Sequence, residues 1–83
     1  MIERTIVKIK VEYSAMLDIK GCKNGEEIHV QSPLTVEELL LHLGVKKHHI
    51  RFIIASINKE TVKHSYQIQE DDNIFFLILA GGG

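Results

Sequence analysis

Eighty-three residues carry 45% hydrophobic and 25% charged side chains, one cysteine, no tryptophan and a formal net charge of −1. That length makes one small domain, and a lone Cys22 excludes an internal disulfide scaffold, so a reducing, cytoplasmic setting is expected. Ten Lys and Arg against eleven Asp and Glu give no basic excess for nucleic acid, and the longest apolar run, Ile74 to Ala80, is too short to span a membrane.

From Thr5 to Tyr13 the residues alternate, with Val7, Ile9, Val11 and Tyr13 on one face and Lys8, Lys10 and Glu12 on the other, which predicts a strand buried on one side. Ser14 to Lys20, ending before Gly21, suits a short helical turn. Asn24-Gly25 marks a turn, and Glu26 to Gln31 alternates again with Ile28 and Val30 inward. Val36, Leu39, Leu40 and Leu43 recur at i, i+3, i+4 and i+7, the stripe of an amphipathic helix that stops at Gly44. Thr35 with Glu38 three residues on reads as a capping box; Ser32-Pro33 as cap and first helical residue is the alternative start.

Lys46 to His49 reads as a basic connector. Arg51 to Asn58 is a strand rich in β-branched residues, Asn58-Lys59 a turn, and Glu60 to Lys63 a short further strand. Gln69 to Asp72 is a polar, acidic turn. Ile74 to Leu79 is apolar at every position, so either register leaves an apolar row on the face away from the helix, the pattern of a protein interface or of a shielded surface. The expected architecture is a two-layer α+β domain over residues 1–80, a mixed sheet of four or five strands with one main helix on one face, followed by a glycine tail at 81–83.

Half of the six glycines are Gly81, Gly82 and Gly83, directly after the apolar strand. Residues without Cβ thread through narrow channels, and a carboxylate carried there gains reactivity when activated as an acyl adenylate. The strand Ile6 to Tyr13, the helix Thr35 to Leu40, the stretch Ile57-Asn58-Lys59-Glu60-Thr61-Val62, the turn Asp72-Asn73-Ile74 and the terminal glycines stand in a characteristic order. In this the chain resembles the ubiquitin-like β-grasp sulfur carriers, the family of the small subunit of molybdopterin synthase and the thiamine-pathway carrier.

The resemblance implies a carrier rather than an enzyme, with no cofactor of its own. An activating-enzyme-like adenylyltransferase, using ATP and magnesium, would adenylate the Gly83 carboxylate, with Gly81 and Gly82 supplying reach. A cysteine desulfurase or sulfurtransferase would supply the sulfur for a thiocarboxylate. A molybdopterin synthase large subunit or a thiazole synthase would then receive it. Placing Ile74 in the core, as the family's turn pattern implies, assigns Phe75, Leu77 and Leu79 to the row that docks the partner.

The length and the segment after the first strand favour the molybdopterin-type carrier, while the Ala-Gly-Gly ending without nearby proline looks equally like the thiamine type; Asp71 stands where a glycine is usual. A ubiquitin-like protein modifier would use the same tail to form isopeptides, and a non-covalent interaction domain would use only the sheet face. His42, His48 and His49 lack zinc-site spacing, Cys22 has no base beside it in sequence, and no catalytic constellation of its own is recognisable.

Overall fold

The computed structural model describes residues 5–17 and 19–78. Seven elements follow one another: β1 (Thr5–Tyr13), β2 (Glu26–Ser32), α1 (Val36–His42), α2 (Lys47–Ile50), β3 (Ile53–Ile57), β4 (Glu60–Val62) and β5 (Asn73–Ile78). The strands form one mixed sheet in the order β2-β1-β5-β3-β4, an arrangement compatible with a β-grasp. β1 pairs antiparallel with β2 and parallel with β5; β3 pairs antiparallel with both β4 and β5. The last strand therefore runs through the middle of the sheet, paired along both of its edges.

Alternation in β1 does what its period of two demands: Val7, Ile9 and Val11 are buried. Register carries this inward face across the sheet, pairing Val7 with Val30, Val11 with Ile74 and Ile57 with Ile74. On β5 the choice left open by the sequence is settled: Ile74 and Phe76 are in the core, and Phe75 is exposed.

Helix α1 delivers Val36, Leu39 and Leu40, all fully buried, to the same cluster, each adding roughly 1.5–3 kcal/mol of burial energy. Its start is the Thr35 capping box: Thr35 Oγ1 accepts from the Glu38 N–H at 3.2 Å, and Glu38 Oε1 accepts from the Thr35 N–H at 2.9 Å. Ser32 and Pro33 therefore lie before the helix. Its end is a Schellman motif, in which the Gly44 N–H donates to Leu41 O and the Val45 N–H to Leu40 O, both at 3.0 Å, with Gly44 at φ 94°.

Two expectations are corrected. The expected basic connector Lys46 to His49 is instead taken up by a second short helix, α2, with Lys46 as its N-cap. That single turn buries only Ile50, so it leaves no apolar period to read. The segment after β1 forms turns around Ala15-Met16 rather than a helix among its described residues. It is held instead by single anchors. Ile19 and Cys22 insert into the core, and Tyr13 O–H donates to the Cys22 carbonyl at 2.9 Å.

Tight turns close the remaining connections. Asn58 and Lys59, at φ 50° and 74°, make the left-handed pair that a two-residue hairpin between β3 and β4 requires. Ahead of β5, Asp71 takes φ 66°, and the buried Asp72 carboxylate accepts from the Gln69 N–H at 2.8 Å and the Tyr66 O–H at 3.1 Å. Burial and the neighbouring Asp72 hold the Tyr66 phenol above its ordinary range. This small network ties Tyr66 and Gln69 to the turn that leads into β5.

Candidate functional site

Backbone bonds show how β5 is steered through the sheet. The Lys10 N–H donates to Asp72 O at 3.0 Å, and the Asp71 N–H donates to Lys8 O at 2.8 Å, locking the β5 entry turn to β1. At the far end Ile78 pairs with Ile53, the first residue of β3. Beyond Ile78 lie Leu79, Ala80 and the three glycines, so the expected docking residue Leu79 and the tail positions Gly81, Gly82 and Gly83 fall outside the described residues.

Two of the three expected docking residues can be placed. Phe75 is 38% exposed and lies between Glu12 of β1 and Ser56 of β3. Leu77, half-buried, pairs with Ile54, also half-buried. They share the outward face of β5 because its inward positions are taken by Ile74 and Phe76. A shallow depression of about 470 Å³ adjoins Phe75, lined by Glu12, Ser56, Asn58, Lys59 and Asn73.

Sequence reading missed two further apolar side chains, one of them a cross-strand neighbour of this row. Ile54 was seen only as part of a strand. Phe52, in the turn before β3, is 44% exposed, with the Arg51 guanidinium 4.9 Å from its ring centre. The signal for Ile54 was its alternation with the buried Ile53 and Ala55, usable once the cross-strand partner was known.

The polar half of the outward face belongs to β1. Lys8 and Lys10 approach Asp71 and Glu12 at 3.8 and 3.9 Å; at such exposure these pairs add little stability. They place compensated charge beside the apolar row, the mixed composition usual at a protein-binding rim.

Other chemistry-bearing residues are not gathered into a site. Cys22 is buried, and desolvation, with Glu26 adding to it, pushes its thiol above the ordinary range, so it is protonated and unreactive at neutral pH. His48 and His49 stack edge to face with ring centres 4.2 Å apart, and among the described residues no group of three His, Cys, Asp or Glu is placed to hold a metal ion. A depression of about 640 Å³ lies between β2 and α1 and is lined by no described residue of β5. Among the described residues no helix is long and apolar enough to cross a membrane.

The ThiS family's sequence profile matches residues 15–83, most of the chain and including its glycine end. The chain belongs to the ThiS family, and its general role is that of a small sulfur carrier, which works with activating enzymes and sulfur-transfer partners rather than as an enzyme itself. No curated protein matches it in sequence.

Proposed function

We propose that the chain carries sulfur on the carboxylate of Gly83. An activating-enzyme-like adenylyltransferase, with ATP and magnesium, joins that carboxylate to AMP and releases pyrophosphate. Persulfide sulfur from a cysteine desulfurase or sulfurtransferase then attacks the acyl carbon and displaces AMP. A thiol cleaves the resulting acyl disulfide and leaves the thiocarboxylate. A molybdopterin synthase large subunit or a thiazole synthase accepts the sulfur and returns the carboxylate.

The observation that carries this reading is a central strand, β5, followed in sequence by three glycines at 81–83, in a chain whose family match extends through residue 83. Domain and tail divide the work: residues 1–80 are the handle, and 81–83 are the arm. The exposed Phe75, on the same face as Leu77, supports a role for this row in docking the adenylating partner.

The test is to incubate the protein with the adenylating enzyme of the same genome, ATP, magnesium and a sulfur donor, and to measure intact masses. Replacement of one oxygen by sulfur on Gly83 supports the proposal; covalent attachment to other proteins supports a ubiquitin-like modifier instead. An unmodified chain rejects both. Phe75→Glu is expected to raise the KM for adenylation about tenfold or more, as loss of an interface anchor does. Because Phe75 is exposed, melting should change little.

A further inference from the structure

Positive charge is concentrated where β5 ends. Four of the ten Lys and Arg residues lie between positions 39 and 59, a stretch holding none of the eleven Asp and Glu. Folding places part of this stretch against the end of the last strand. Lys46 and His49 line a groove of about 430 Å³ with Lys20, Ile53 and Ile78, its opening flanked by Met16, which is 74% exposed. The depressions beside Phe75 and beside α1 each include a glutamate, Glu12 and Glu38; among the described residues none that lines this groove is acidic. Lys20, Lys46, Lys47 and Arg51 enter neither of the ion pairs found among the described residues. Asp18, the nearest acidic residue in sequence, lies outside them.

Anything that processes Gly83 works within reach of this rim. Gly83 lies five residues beyond Ile78, a span of at most about 18 Å when fully extended. An enzyme holding that carboxylate in its active site must therefore bring its surface close to the groove. A cationic surface there would be repelled, whereas a carboxylate-bearing one would be attracted and steered. The apolar floor at Ile53 and Ile78 suits a protein side chain rather than a phosphate backbone, and the chain's overall charge of −1 gives no general attraction for polyanions.

We propose, resting on the reading of Gly83 as the reactive end, that the rim formed by Lys20 and Lys46 at the end of β5, with Lys47 next in sequence, docks an acidic protein surface on the adenylating enzyme. The apolar row at Phe75 supplies grip, and the rim supplies steering and register. Lys46 and Lys47 are exposed at the start of α2, and Lys46 makes no side-chain cap bond, so acidic replacements there leave the fold intact.

The experiment measures ATP-dependent adenylation of the full chain by the adenylating enzyme of the same genome, at about 50 and about 300 mM NaCl, where screening differs strongly. Compared are wild type, K46Q/K47Q and K46E/K47E, with melting curves to confirm folding. The proposal requires the wild-type KM to rise with salt. In low salt K46E/K47E must raise KM about tenfold or more with kcat unchanged, K46Q/K47Q must fall between, and the salt dependence must flatten. Adenylation with an unchanged KM overturns this docking role while leaving the carrier reading in place; no adenylation of wild type overturns both. If K46E/K47E instead abolishes retention on heparin or anionic vesicles without changing KM, the rim serves another polyanion and the proposal is overturned.

Discussion

Gly21→Ala tests how the β1–β2 connection is held, which matters because its Lys20 stands at the groove beside Ile78. A methyl group on Gly21 would lie 2.6 Å from the Leu43 carbonyl oxygen, 2.7 Å from its Cα and 2.8 Å from its carbonyl carbon. Ordinary contact needs about 3.5 Å, so the two backbones must separate by about 0.8 Å. Both sides are main chain, and neither has a flexible tip to swing away. Separation breaks the bond from the Gly21 N–H to Leu43 O at 3.1 Å, a loss of about 1 kcal/mol. It also loosens Ile19 and Cys22, which flank Gly21 and sit in the core, adding about 1–2 kcal/mol.

The expected sum is a loss of about 2–3 kcal/mol, and therefore a fall of roughly 10–20 °C in Tm for a domain of this size. Thermal and urea unfolding followed by circular dichroism measure it. Gly25→Ala is the control: nothing lies near its side, and only its φ of 85° is strained, so it should lose about 1 kcal/mol. A Gly21→Ala protein melting within about 3 °C of wild type would refute the close-approach argument.

Tyr66→Phe should cost about 1–2 kcal/mol in urea unfolding, since the buried Asp72 loses the donor at 3.1 Å; no change would mean that the Gln69 N–H suffices. Asp71→Gly should stabilise by up to about 1 kcal/mol, because φ 66° strains any residue with a Cβ and the exposed pair to Lys8 contributes little; a loss above about 1 kcal/mol would show that the ion pair matters. Raised Cys22 and Tyr66 pKa values mean that the folded state holds these protons more tightly than the unfolded chain does. Stability from them is complete below the ordinary thiol and phenol ranges and is lost as pH climbs through the raised values. Melting temperature should therefore fall in alkaline solution, less steeply in Cys22→Ala relative to its own neutral value; an identical alkaline slope would remove Cys22 as a cause.

Local rules in the sequence determined much of this molecule. Alternation alone bounded β1 at Thr5 and Tyr13, and the spacing of Val36, Leu39 and Leu40 with the Thr35–Glu38 box located α1, because side-chain period and capping are properties of neighbouring residues. The glycines at 81–83 and the order of motifs along the chain carry the resemblance to the sulfur carriers. Tertiary structure alone decided the rest. Ile74 to Leu79 is apolar throughout, so only pairing with β1 and β3 separates the buried Ile74 and Phe76 from the exposed Phe75. Lys20 and Lys46 are far apart in sequence, and only folding sets them at one groove beside Ile78. α2 escaped the sequence because one turn with one buried residue carries no period, and Phe52 escaped because exposure is decided by what packs nearby. Periodicity records which face of an element is buried; which elements meet at the end of β5 depends on contacts between residues that the chain keeps apart.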